Sequence, residues 1–161
     1  MKRAALTVDK FTVADYLQVR KLWKASGLDF SPGDGLREIR SKLKRDPELF
    51  LVAHQGREVI GSAMGAWDGR RGWVYHLAVS PASRRAGVGS RLLAELESQM
   101  RRKGVLKVNA IVYDWNVPSL SLFEKCGFSR QSGQVVVGKY LRPHDSRARH
   151  ESSDSLSPPS C

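Results

Sequence analysis

The chain has 161 residues, 41% of them hydrophobic and 27% charged, which suits one ordinary globular domain with a real core. No apolar run approaches the roughly 18 residues that span a bilayer. Behind Met1-Lys2-Arg3 the apolar stretch ends at Thr7 and Asp9, too soon for a secretory signal. Cys126 and Cys161 give no disulfide framework and too few ligands for a structural zinc site. No metal is therefore expected, and a cytoplasmic location is. Twenty-seven Lys and Arg stand against sixteen Asp and Glu, a net charge of +11. Such a balance favours anionic partners: nucleic acid, phosphorylated cofactors, acidic peptides or anionic lipid.

In chain order, residues 3–9 read as a first strand. Thr12 then supplies an N-cap with Asp15 three residues on. Tyr16, Val19, Leu22 and Trp23 recur at helical spacing up to Gly27, a stop signal. After the turn-rich stretch Ser31-Pro32-Gly33-Asp34-Gly35, Leu36, Ile39 and Leu43 mark a second helix ending before Pro47. Three strands follow at 48–54, 58–66 and 72–79, with Gln55-Gly56-Arg57 and Trp67-Asp68-Gly69-Arg70 as turns.

The clearest helix is 88–103, where Val88, Leu92, Leu96 and Met100 come every fourth residue and Arg91 and Glu95 form an i,i+4 pair. A strand at 105–113, a short helix at 118–126 with proline in its first turn, and a last strand at 135–141 complete the domain. The order β-αα-βββ-α-β-α-β describes an α/β fold: a mixed sheet with helices on both faces. Residues 143–161 hold six serines, three prolines and few apolar groups, and read as a disordered tail. The domain, residues 1–142, keeps 25 Lys and Arg against 13 Asp and Glu, a net +12.

One segment combines a strand, a basic turn and the strongest helix: His76-Leu77-Ala78-Val79-Ser80-Pro81-Ala82-Ser83-Arg84-Arg85-Ala86-Gly87-Val88-Gly89-Ser90. Gly87 and Gly89 carry no Cβ to hold a ligand away from the backbone. The first N–H groups of the helix are unpaired and its dipole is positive there. A pyrophosphate suits that geometry, with Arg84 and Arg85 as added cations. Arg-x-x-Gly-x-Gly alone fits a plain strand-to-helix turn equally well. It lacks the Lys-Ser/Thr of a Walker loop and the third glycine of a dinucleotide fingerprint.

A second segment starts 27 residues past Gly89: Asn116-Val117-Pro118-Ser119-Leu120-Ser121-Leu122-Phe123-Glu124-Lys125-Cys126-Gly127-Phe128. Together, in order and with a strand between them, the two segments resemble the GNAT superfamily of acetyl-CoA-dependent N-acetyltransferases. The element order over residues 3–141 agrees with that family's mostly antiparallel sheet. Within it, residues 46–75 and the turn Trp67-Asp68-Gly69-x-Arg71-Gly72 are most similar to bacterial YpeA-like acetyltransferases. The resemblance implies that acetyl-CoA is the cosubstrate and an amine the acceptor. It further implies that Leu77, Ala78 and Val79 lend backbone groups to the pantetheine arm. Arg84, Arg85, Ala86, Gly87, Val88, Gly89 and Ser90 would cradle the pyrophosphate. Asn116 would bond the pantetheine, and Phe123 would pack beside the thioester.

The implied reaction is direct attack of an amine on the thioester carbonyl. Alkylamines arrive protonated, so a group or a water must take that proton. Here the sequence departs from the family: Phe123 stands where a tyrosine acid is common, and Trp73, Ala110 and Ile111 stand where a base is. Tyr75 alternates onto the same strand face as Trp73 and Leu77 and is the catalytic candidate. His76, the alternative proton-transfer candidate, should point to the opposite face, where it reads as a core histidine. Asp114 reads as a turn carboxylate and Cys126 as a helix-end cysteine. Arg37, Arg40 and Lys44 line one side of the second helix, either as a solvated face or as a clamp for an acidic substrate.

Three functions remain. The first is an N-acetyltransferase with a peptide, protein or small-molecule amine as acceptor; an acidic N-terminus suits the charge better than a polycationic aminoglycoside does. The second is an acyl-CoA-binding module that has lost catalysis. The third, nucleic-acid binding, rests on charge alone, without a recognition-helix signature or aromatic-basic interleaving. No membrane partner is expected, and both a monomer and a homodimer fit.

Overall fold

A computed structural model describes residues 4–28 and 30–141; the serine-rich tail lies outside them. Five strands form one sheet in the order β1-β2-β3-β4-β5. They are β1 (Leu6–Lys10), β2 (Phe50–Gln55), β3 (Glu58–Trp67), β4 (Gly72–Val79) and β5 (Val108–Ala110). The first four pair antiparallel in sequence, and β4 pairs parallel with β5. This is the mixed, mostly antiparallel α/β sheet that the sequence implies.

Strand alternation sorts the core into two layers. Phe50 and Val52 of β2 meet Val19, Leu22 and Trp23 of α1 (Tyr16–Ala25) and Ile39 of α2 (Leu36–Arg45). Their neighbours Leu51 and Ala53 face Leu92, Leu93, Leu96 and Met100 of α3 (Val88–Arg102), with Phe123 of α4 (Val117–Lys125). Helices therefore cover both faces. A capping box precedes the first of them: the Thr12 backbone N–H and hydroxyl both donate to Asp15 Oδ2, at 2.8 and 2.9 Å. On α3, Glu95 accepts from Gln99 rather than pairing with Arg91, and Arg101 pairs with Glu97.

Three expectations change. The strand at 105–113 shortens to Val108–Ala110, because the Val105 N–H still bonds the Met100 carbonyl at the end of α3. Beyond Ala110 the chain leaves β4, and Ile111 and Tyr113 are exposed. No strand forms at 135–141: Val135 and Val137 are both 87% exposed, and a three-residue β5 offers little ladder to receive them. Third, β4 does not alternate regularly. Its register with β3 slips between Ser62↔Ala78 and Met64↔Tyr75, and His76 sits in the slip with a left-handed φ of 47°. The extra residue is a β-bulge, and it re-aims every side chain after it.

Candidate active site

The bulge decides which groups meet. Trp73 and Tyr75 stack at 6.5 Å on the α2 side of the sheet. Without a bulge His76 would turn away from them, as the sequence suggests. Instead it lies on the α1 side, edge-on to Trp23 at 4.7 Å, with Nε2 2.8 Å from Asp34 Oδ1. Leu77 and Val79 turn to the α3 layer, so Leu77 does not share a face with Tyr75. Two titratable rings, Tyr75 and His76, thus stand side by side on one face of β4.

The parallel ladder between β4 and β5 ends at Val74↔Ala110. From Tyr75 to Val79 the β5-facing edge of β4 has no strand beside it among the described residues. That open edge runs straight into the basic turn, where Arg84, Arg85, Ala86 and Gly87 are exposed. Arg85 (φ 61°) and Gly87 (φ 80°) are left-handed, and Gly87 is the N-cap of α3. The first ladder bond of α3 runs from Arg91 N–H to Gly87 carbonyl, so the N–H groups of Val88, Gly89 and Ser90 precede the ladder. An extended chain ending in phosphates fits this edge and helix start. Ser26 Oγ donates to the Val79 carbonyl at 3.2 Å and fixes α1 against the corner.

The two glycines act differently. A Cβ on Gly87 would meet nothing within 4 Å, so its φ is what requires glycine. Gly89 is buried, and its missing side chain faces Leu122 and Val79 rather than the solvent. Its role is close packing of α3 on α4 and β4. Asn116 caps α4 by accepting the Ser119 N–H at 3.3 Å, which leaves its amide nitrogen for a ligand. Phe123 is 7% exposed and packs edge-on to Phe128 at 5.0 Å, within the α3 layer. On β5, Asn109 Nδ2 is buried without a hydrogen-bond partner, opposite Trp73.

On the α2 side a cavity of about 290 Å³ opens between the helix end and the β3–β4 hairpin. Its lining includes Lys42, Arg45, Trp67, Asp68, Trp73 and Tyr75. Arg37, Arg40 and Lys44 are exposed elsewhere on α2, so the helix offers Lys42 and Arg45 to the cavity instead. Both are tied down: Lys42 Nζ lies 3.1 Å and Arg45 Nε 3.6 Å from Asp46, and Arg45 also donates to the Trp67 carbonyl. Burial lowers the Lys42 pKa, and the Asp46 carboxylate only partly offsets it. The Arg71 and Arg70 backbone N–H groups hold the Asp68 carboxyl below its usual range, with a further bond from Trp73. Burial, and then the Asp68 charge, push the Tyr75 phenol above its usual value.

Asp34 is the group that composition and spacing do not reveal as part of a site. It reads as a turn residue, and indeed Oδ2 accepts from Ser31 N–H and Oγ, each at 2.7 Å. The Ser31-Pro32-Gly33-Asp34 spacing signals that local cap. Nothing in it signals Oδ1 reaching across to β4. Burial raises the Asp34 pKa, but His76 and Ser31 outweigh this and hold it below the usual value. Among the described residues no cluster of His, Cys, Asp and Glu could hold a metal ion, and no helix is long and apolar enough to cross a membrane.

Residues 16–128 match the model of the acetyltransferase (GNAT) family. The chain is 37% identical to an acetyltransferase of Sodalis glossinidius over 127 residues, covering 79% of this chain and 89% of that one. An acetyltransferase of Yersinia enterocolitica is 35% identical over 131 residues, covering 81% and 92%. Among solved structures, Ard1 from Thermoplasma volcanium aligns with a TM-score of 0.72 at 25% identity, covering 80% of this chain and 86% of that one. The PaiA N-acetyltransferase from Thermoplasma acidophilum, in complex with coenzyme A, aligns with a TM-score of 0.71 at 19% identity, covering 81% and 93%.

Proposed function

We propose that this chain, which belongs to the acetyltransferase (GNAT) family and is an acetyl-CoA-dependent N-acetyltransferase, acetylates a primary amine on a peptide N-terminus or a small molecule. The observation that carries the reading is the free edge of β4 from Tyr75 to Val79, continuous with the open start of α3. Leu77, Ala78 and Val79 would pair with the pantetheine arm of acetyl-CoA as an added strand. The N–H groups of Val88, Gly89 and Ser90 would receive the pyrophosphate, with Arg84 and Arg85 as countercharges. Ala86 and Gly87 keep that approach free of bulk. Asn116 would contribute its free amide nitrogen, and Phe123 would support the wall from beneath.

Bound acetyl-CoA supplies a thioester carbonyl for the amine to attack. Opposite it, the cavity between Lys42, Trp67 and Tyr75 is the acceptor site. Tyr75 is 38% exposed and has its pKa raised, so at neutral pH it keeps its proton. It therefore acts as a donor rather than a base, bonding the sulfur as the C–S bond breaks. A thiol pKa near 8.5 makes the leaving group tolerable, so this donor quickens the step without being indispensable. Lys42 and Arg45 are balanced in the cavity's lining by Asp46 and Asp68, so charge there selects neither an anionic nor a cationic acceptor.

The test is release of free coenzyme A across a panel of alkylamines and peptides with free N-termini. The reading expects release matched by acetylated amine for at least one of them. Binding of acetyl-CoA with no turnover on any amine would favour a chain that binds the cosubstrate without catalysis.

A further inference from the structure

We propose that the acceptor carries an arylethylamine unit, an aromatic ring joined through two carbons to the reacting nitrogen, and that Trp73 and Ala66 select it. The proposal rests on the acetyltransfer reading above and names the substrate class of the same cavity. A free arylethylamine and a peptide with an aromatic first residue share this unit. In such a peptide the side-chain ring also lies two carbons from the terminal amine.

Half of the residues lining the cavity are charged, yet each charge already has a partner within the protein. The Asp46 side chain, 5% exposed, faces Lys42 Nζ at 3.1 Å and Arg45 Nε at 3.6 Å. The Arg45 guanidinium also donates to the Trp67 carbonyl at 2.9 Å. Asp68 Oδ1 accepts the Arg70 and Arg71 N–H groups at 2.8 and 2.7 Å, and the Trp73 side chain bonds the same carboxylate. An acceptor that claimed one of these groups would have to displace a bond the protein makes with itself. What remains for recognition is apolar surface. The Trp67 ring packs in the α3 layer, under Lys103 Nζ at 5.4 Å, so the aromatic wall of the cavity is Trp73 and Tyr75. Their centroids lie 6.5 Å apart with planes 22° from parallel, and the Asp68 bond fixes the indole.

The β3 side of this wall is low where a ring would need room. Register sets Met64 against Tyr75 and Ala66 against Trp73, so the larger ring has the smaller neighbour. The step beside the indole is open to a second ring, and aromatic pairs prefer the offset or edge-on contacts it allows. At about 290 Å³ the cavity sits at the small end of ligand pockets, which run from about 300 to 1,000 Å³. That suits one ring on a short arm rather than a scaffold of several rings. The strand sets the length of the arm. Trp73 and Tyr75 are two residues apart, about 6.6 Å along β4. The open edge begins after Val74. A ring seated on Trp73 must reach past Tyr75 to meet a thioester at that edge. Two carbons and the nitrogen cover the distance, whereas the nitrogen of benzylamine stops short.

The test compares kcat/KM of the wild-type chain, with acetyl-CoA, on 2-phenylethylamine, benzylamine, butylamine and peptides beginning with Phe or Ala. Either 2-phenylethylamine should exceed butylamine, or the Phe peptide the Ala peptide, by about tenfold or more, chiefly through a lower KM. The larger of the two advantages identifies the source, a free amine or a peptide. Benzylamine should fall below 2-phenylethylamine. Ala66→Leu fills the step without touching the paired charges and should abolish the advantage. Trp73→Leu should do the same by removing the ring, which guards against a folding defect of one variant; in both, acetyl-CoA should still raise Tm. In the coenzyme A complex, the ring protons of the preferred acceptor should receive NMR saturation from the protein, and lose it in Ala66→Leu. Aliphatic amines and Ala peptides that match their aromatic counterparts, benzylamine as good as 2-phenylethylamine, or an advantage that survives both substitutions would overturn the selection while leaving acetyltransfer intact. A wild-type protein that turns over none of these amines would remove the acetyltransfer reading, and this proposal with it.

Discussion

Leu122 of α4 packs so closely beneath α3 that a Cβ on Gly89 would stand 2.8 Å from its Cδ2. The second glycine of the basic turn is thus a spacer between helices, whereas Gly87, with φ 80° and open space around it, is a backbone hinge. Their substitutions should separate accordingly. Gly89→Val overpacks the joint and should cost about 1–3 kcal/mol, read as a lower Tm. Gly87→Val should cost about 1–2 kcal/mol from left-handed strain, and Gly87→Asn less. Both valine variants should weaken acetyl-CoA binding, measured by calorimetry. Arg91→Ala, on the exposed side of α3, should stay within about 0.5 kcal/mol and bind normally. Equal losses in all three would contradict this division of labour.

Tyr75→Phe tests the donor. The ring should keep its stack on Trp73, so acetyl-CoA affinity should hardly change. The maximal rate should fall about tenfold to a hundredfold, and the basic limb of the pH profile should flatten. A change of only a few-fold with an unaltered profile would reduce Tyr75 to a wall of the cavity.

Asp34 gives a pH signature of its own. Its folded pKa lies below the ordinary 3.8. A depressed carboxyl stabilises the fold above its unfolded pKa and loses that contribution as pH falls through the folded one. Asp34→Asn should therefore melt several degrees below the wild type at pH 7, consistent with about 1.5–3 kcal/mol for bonds to a charged group. The gap should close in melts performed progressively below pH 4. A gap independent of pH would mean that packing, not charge, is what the substitution removes.

The layered fold was legible because its signals are local. Val88, Leu92, Leu96 and Met100 write the buried stripe of α3 directly, and residues 50–53 write a strand buried on both faces. The basic turn was legible for the same reason. His76 was not, because strict alternation assigns it to the wrong face, and the bulge that reverses it comes from pairing with β3. Asp34 lies 42 positions earlier and reaches His76 only through tertiary packing. Residues 135–141 failed in the opposite sense: their β-branched run satisfies local propensity, yet a strand needs a neighbouring edge.

Stabilisation by the cosubstrate is a separate expectation. A ligand that binds only the folded chain at a hundredfold its Kd contributes about 2.7 kcal/mol. Acetyl-CoA at about a millimolar should raise Tm by several degrees, and less at high salt, since Arg84 and Arg85 are exposed.

Whether the open edge of β4 brings acetyl-CoA to an amine is read by following free thiol and acetylated amine together, by colorimetry and mass spectrometry, in one reaction of the wild-type protein with acetyl-CoA and the amine panel. Both products should appear in equal amounts with at least one acceptor. Thiol release without any acetylated amine, or neither product with every acceptor, would contradict it.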